Sequence, residues 1–288
     1  MKLSQKVASK THRVLIYGPP KTGKTELAGK LSQEYNLIWV DLENGVDTLL
    51  KLPEEWKERI EVISIPDTRS YPIAIETCLK LVKGMKGVVC EAHGKFNCPV
   101  CKKNNDPVVE VDFNNLPHDT IVVFDSLTQL TNSAISHITK DKPEDYKLEY
   151  DDWGNLGKLM DIFLSHVQQA PFNVVCISHE TEAEQEDGKM KVVPVAGTRA
   201  FSRNSAKYFD GVVYCEVKNK KHIAASSTTY ANNVLTGTRN GAALEQMGEP
   251  SLIPIFKGEI IVNNPVTTNT PATNSVSKLA EMRAKLGK

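Results

Sequence analysis

Apolar positions come in short, nearly continuous runs rich in β-branched residues: RVLIYG at 13–18, NLIWVDLE at 36–43, RIEVISIP at 59–66, TIVVFDS at 120–126, NVVCISHE at 173–180 and GVVYCEV at 211–217. Runs of this kind predict strands covered on both faces, since a strand with one wet face would alternate. Between them the apolar spacing changes to helical periodicity over 23–34, 72–84 and 152–169. Strands alternating with helices predict an α/β fold built on a mostly parallel, doubly wound sheet. From 189 to 262 the runs are joined by turns such as NGAAL and KGEII, which predicts antiparallel additions at one edge. Two stretches break the rhythm: a Cys-rich piece at 86–118, and a polar end rich in Thr and Asn. The expected organisation is one core over 1–262 carrying the 86–118 insertion, then a flexible linker and a short helix over 263–288.

The first strand runs into Gly18, Pro19, Pro20, Lys21, Thr22, Gly23, Lys24, Thr25 and Glu26, which contains G-x-x-x-x-G-K-[ST] at the start of a helix. Glycines let the chain curl so that backbone N–H groups face phosphates, and the helix N-terminus adds about half a positive charge. Lys24 is placed to reach the β- and γ-phosphates, and the Thr25 hydroxyl to ligate Mg²⁺. A phosphate loop needs an acid for the magnesium, and IVVFDS supplies Asp125 at the carboxyl end of a strand, where open sheets bind ligands. A nucleotide and Mg²⁺ are therefore the expected ligands; the nucleotide is ATP if the resemblance below holds.

The second strand ends in IWVDLENGVD, with the carboxylates Asp41 and Glu43 at its tip. Such a pair also suits capping of the next helix. With the phosphate loop and Asp125, this order resembles the RecA-like P-loop ATPases, over roughly 10–262 without the insertion. The resemblance implies that Glu43 activates the attacking water and that Asp47 touches the adenine. It also implies that Ser178 and His179, in VVCISHE, sense the γ-phosphate; a histidine satisfied at a strand end is the alternative. The polar segment after 180 stands where the family keeps a mobile DNA-binding loop. Its second half carries Lys189, Lys191, Arg199, Arg203 and Lys207, while its first half is acidic. In the family a neighbouring subunit completes the site with a cation. Arg239 in VLTGTRN matches first, and Lys218, Lys220 and Lys221 in VKNKKH second. The segment YDDWGNLGKLM and the short chain resemble phage-encoded members that support single-strand annealing and recombination.

The Cys-rich stretch VVCEAHGKFNCPVCKK offers Cys90, His93, Cys98 and Cys101, as C-x₂-H-x₄-C-x₂-C. Two close pairs of thiolate and imidazole ligands suit a tetrahedral, structural Zn²⁺. His118 is the alternative nitrogen ligand; free thiols or a redox pair are the other readings of the cysteines.

Composition narrows the partners. Lys plus Arg and Asp plus Glu both number 35, so no whole-molecule field attracts nucleic acid or membrane, and a polymer-binding surface must be local. No run of 18 apolar residues exists to span a bilayer, and the basic start MKLSQKVASKTHR is not followed by a secretory apolar region. The expectation is a cytoplasmic ATPase, in host cytoplasm if phage-encoded, working as a homo-oligomer on single-stranded DNA in recombination, repair or replication. A protein partner at the tail or the Cys-rich knob is a further expectation. An ATP-dependent clamp and a small-molecule kinase are the alternatives, and no Arg-rich lid follows Asp125 to serve the latter.

Overall fold

In chain order, a computed structural model describes residues 11–185, 188–228, 230–239 and 245–257. The linker and helix expected over 263–288 lie outside them. The described part begins with β1 (Arg13–Gly18), α1 (Lys24–Gly29), β2 (Asn36–Asp41), α2 (Glu54–Lys57), β3 (Ile60–Ser64) and α3 (Ala74–Val82). The insertion follows as β4 (Gly87–Cys90), α4 (Pro99–Asn104) and β5 (Val108–Val111). Next come β6 (Thr120–Asp125), α5 (Leu127–Thr139), α6 (Tyr150–Gln169), β7 (Asn173–Glu184), β8 (Met190–Pro194) and α7 (Arg199–Asn204). The described part closes with β9 (Gly211–Lys218), β10 (Lys221–Ala225), β11 (Gly237–Thr238), β12 (Glu245–Gly248) and α8 (Ile253–Lys257).

The sheet has the order β12-β10-β9-β1-β7-β6-β2-β3, with β11 on β9 and β8 on β7. The strands β9, β1, β7, β6, β2 and β3 run parallel, while β10, β12, β11 and β8 are antiparallel additions. This is the α/β class with a mostly parallel sheet that the apolar runs predict. Alternate residues of β1 serve opposite faces: Leu15 and Tyr17 pack with α3, α5 and α6, and Val14 and Ile16 pack with α1 and α8. Burial on both sides is why these strands read as continuous apolar runs.

Three elements differ from expectation. The helix of 23–34 is α for six residues and then tightens into a 3₁₀ turn over Lys30–Gln33, where Gly29 lies against Leu49 and Leu52. The polar segment after 180, where a mobile loop is expected, instead extends β7 to Glu184, paired with β8 from Glu180↔Pro194 to Glu184↔Met190. Alternation explains the pairing: Ala183 and Val193 are buried while Glu182 and Glu184 face outward. Finally, the Cys-rich stretch is a two-stranded hairpin with its own short helix, not part of the main sheet.

Candidate functional site

Parallel register brings the chemistry to one edge. Gly18 lies opposite His179 across β1 and β7, Asp125 opposite Ile177 across β6 and β7, and Asp41 opposite Asp125 across β2 and β6. All are at the carboxyl ends of their strands, around a cavity of about 470 Å³. Its walls include Lys21, Lys24, Thr25, Glu43, Asp125 and His179.

The loop needs its glycines. Gly18 has φ +149°, and a Cβ there would lie 2.1 Å from the Cys215 carbonyl oxygen, so no larger residue fits. Gly23 has φ +83° and Lys21 φ +62°, completing the curl. Thr22 closes it by donating to the Pro19 carbonyl at 2.9 Å. Lys24 is buried, with Nζ donating to the carbonyls of Gly18 (3.0 Å) and Pro19 (2.6 Å). Burial lowers its pKa from the usual ammonium value. The Thr25 hydroxyl donates to Asp125 Oδ2 at 3.0 Å. An oxygen-only pair of hydroxyl and carboxylate beside a phosphate cradle is the donor set that Mg²⁺ favours, so the residues fit both ligands. Asp125 is pushed up to about 7, first by burial and then by the charge of Glu43.

The two acids at the tip of β2, Asp41 as its last residue and Glu43 in the turn beyond it, have separate tasks. Asp41 is buried and accepts from the N–H groups of Glu43 (3.2 Å) and Gly45 (3.1 Å), so it holds the turn. Glu43 turns into the cavity, where Ser126 Oγ donates to its Oε1 and His179 Nε2 stands 3.8 Å away. His179 foremost holds the Glu43 carboxyl below its usual range. His179 is held at its backbone, whose N–H donates to Thr128 Oγ1 at 2.9 Å, while its buried Nδ1 has no hydrogen-bond partner among the described residues.

A family model described as an AAA domain matches residues 10–241. The chain belongs to the AAA domain family. No curated protein matches the sequence. Among solved structures, one ATPase domain aligns over 83% of this chain and 81% of that chain, at 11% identity and a TM-score of 0.44. An ATPase from the type III secretion system of pathogenic bacteria aligns over 71% of this chain and 51% of that chain, about half its length, at 12% identity and a TM-score of 0.38.

The remaining residues of this AAA domain sort by position. Pro20, Lys21 and Glu26 line the cavity, while Pro19 serves through its carbonyl. Asp47 is exposed on the 3₁₀ turn Val46–Lys51 and does not line the cavity, whose wall there is Thr48 and Lys51. Ser178 is buried and ties the strand ends together, donating to the carbonyls of Val195 (2.7 Å) and His179 (2.9 Å). Arg239 stands at the opposite edge of the sheet. It follows β11 and pairs with Asp210, whose backbone N–H donates to the Arg13 carbonyl at the start of β1. Lys220 and Lys221 instead occupy the β9–β10 turn, on the phosphate-loop edge, with Asn219 and Lys220 at positive φ.

Sequence reasoning missed Ser126 and His222. Ser126 caps α5 by accepting from the Gln129 N–H at 3.2 Å, and the S-x-x-Q spacing was its available signal. His222 approaches the loop through a 3.1 Å contact from Nδ1 to the Thr22 carbonyl, for which the sequence carries no local signal.

Proposed function

We propose that this AAA-type ATPase domain hydrolyses ATP with Mg²⁺ as a homo-oligomer. We further infer that it acts on single-stranded DNA in recombination, repair or replication, in the manner of the short phage-encoded RecA-like proteins it resembles. The observation that carries hydrolysis is Glu43, ionised and held by Ser126 and His179 in the same cavity as Lys24 and Asp125. A carboxylate so placed accepts a proton from water as that water attacks the γ-phosphorus. Lys24 opposes the charge that develops on the phosphoryl oxygens. Thr25 and Asp125 would hold Mg²⁺, which neutralises phosphate charge when bound.

DNA is supported by a second cavity, of about 670 Å³, at the β7–β8 hairpin. Lys189, Lys191 and Arg203 meet Asn204, Asn232 and Asn233 around it. Cations and amides together suit a phosphodiester strand with unpaired bases, and such binding weakens with salt. No helix among the described residues is long and apolar enough to cross a membrane, and we place the protein in the cytoplasm, of the host if phage-encoded. The tail and the Cys-rich knob are the candidate surfaces for a protein partner.

The test is ATP turnover measured across protein concentration, without DNA and with single- or double-stranded DNA. Turnover per chain is expected to rise with concentration and with single strands, and Glu43→Gln to abolish it while ATP affinity is kept. Bound ATP without turnover, even with single strands at high protein concentration, would replace this reading with an ATP-dependent clamp.

A further inference from the structure

The insertion between α3 and β6 has little interior of its own. Its hairpin pairs Gly87↔Val111 through Cys90↔Val108, and Lys102, Lys103, Asn104 and Asn105 make the end of α4 polar. Yet it folds around a compact cluster in which Cys90, Cys98 and Cys101 are buried and His93 is half-buried. The three sulfurs and one imidazole nitrogen all lie within 4.8 Å of one another. His93 Nδ1 stands 3.1 Å from Cys101 Sγ and 3.8 Å from both Cys90 Sγ and Cys98 Sγ. A tetrahedral ion with Zn–S of about 2.3 Å and Zn–N of about 2.1 Å has ligand–ligand edges of roughly 3.6–3.8 Å. The three nitrogen–sulfur distances, 3.1, 3.8 and 3.8 Å, bracket the nitrogen–sulfur edge of such a tetrahedron. None of the cysteines is in a disulfide.

We propose that Cys90 Sγ, His93 Nδ1, Cys98 Sγ and Cys101 Sγ hold one Zn²⁺ in a closed structural site that folds the insertion and fastens it to α3. Four protein ligands leave no position for water, which separates this site from a catalytic one. Three thiolates and a neutral imidazole also select zinc over the oxygen-seeking Mg²⁺ of the phosphate loop. His118 is set apart, just before β6, with its carbonyl accepting from Asn173 Nδ2 at 3.1 Å.

The insertion's attachment to the core explains what the ion would secure. The turn between the first two ligands and the last two presses Gly94, at φ +58°, so close that a Cβ would lie 2.7 Å from Ile65 Cα. The Gly94 carbonyl accepts from Thr77 Oγ1 of α3 at 2.8 Å. Val89, Phe96, Val111 and Phe113 then join the same apolar cluster as Ile75, Cys78 and Leu81 of α3. Without a cross-link at the cysteines, a hairpin this small cannot hold those side chains in place.

Elemental analysis of the full-length protein purified without added metal is expected to give about one zinc per chain. Replacement by Co²⁺ should give the visible absorption of a tetrahedral thiolate site. Cys98→Ser with Cys101→Ser, and separately His93→Ala, should lose the zinc, while His118→Ala keeps it. Stripping the ion from the wild-type chain with a chelator should expose 87–111 to protease and lower the thermal midpoint. Affinity for a fluorescent ATP analogue should change less than twofold, because the cavity of Glu43 shares no residue with the cluster. A wild-type chain that neither carries zinc nor takes up Co²⁺ with that spectrum would overturn the site. Zinc retained in the double-serine variant, or lost with His118→Ala, would overturn the ligand set. An insertion equally protease-resistant with and without the ion would overturn its structural role.

Discussion

For Glu43 to take a proton from water, as proposed, it cannot be free to swing, and the residues around it restrain it. Ser126 caps α5 and also donates to Glu43, so one hydroxyl ties the acid to the start of a helix. A hydrogen bond to a charged group contributes about 1.5–3 kcal/mol. Ser126→Ala is therefore expected to lower kcat roughly 10- to 100-fold with KM nearly unchanged, since the loss falls on positioning and not on ATP binding. Equal losses in kcat and ATP affinity would show Ser126 to be a fold residue only. Asp125 makes a prediction in pH. Its folded value, about 7, lies above the unfolded carboxylate value of about 3.9. The folded chain thus binds this proton more tightly, and the contribution is fully present below about pH 4 and lost as pH rises through 7. The thermal midpoint of nucleotide-free wild type should fall across that window, and Asp125→Asn should flatten the fall and be the more stable protein at pH 8. The same variant should lose Mg²⁺-dependent ATP binding. A wild-type midpoint that rises from pH 4 to 8 in parallel with the variant would refute the assignment.

At the scale of elements, the sequence shows strands more clearly than their ends. Each of the six apolar runs is a parallel strand, because burial on both faces leaves a pattern that needs no knowledge of partners. The phosphate loop is legible for a related reason: Gly18 must meet the Cys215 carbonyl, and only glycine can. Pairing of a strand with polar side chains is harder to see. The β7–β8 hairpin reads as a polar loop because its exposed face is acidic and its buried residues are small. Asp41 and Glu43 look alike in the sequence, and only the backbone after β2 decides that one holds the turn and the other faces the cavity. Two glycines of α6 remain unexplained by packing: Gly154 and Gly157 are helical, and a Cβ on either would meet nothing within 4 Å. Glycine in a helix interior costs about 0.5–1 kcal/mol relative to alanine. Gly157→Ala should therefore stabilise the chain by about that amount in denaturant unfolding. If it destabilises instead, a side chain at 157 meets a neighbour and the position is not open.

At the scale of the whole molecule, the chain places two sets of cations at opposite edges of the sheet. Lys220 and Lys221 share the edge of the phosphate loop, while Arg239 lies across the sheet on Asp210. A cation on the far edge cannot serve its own chain's cavity. It can serve a neighbour's if the far edge of one subunit faces the near edge of the next, which is how a ring or filament repeats. With the oligomeric reading above, Arg239→Ala should keep ATP affinity and lose about 10³-fold or more in turnover. On the same reading Glu43→Gln is expected to be inactive for a different reason, since it keeps the cation and would lack the base. Mixing the two inactive chains then makes a specific forecast. Wherever an Arg239→Ala subunit receives the edge of a Glu43→Gln subunit, the interface holds an intact Glu43 and an intact Arg239, so activity returns in part. Measured as phosphate release from an equimolar mixture, turnover should exceed either variant alone and increase with total protein. No gain on mixing, with Arg239→Ala as active as wild type and Lys220→Ala inactive, would move the assignment to the β9–β10 turn.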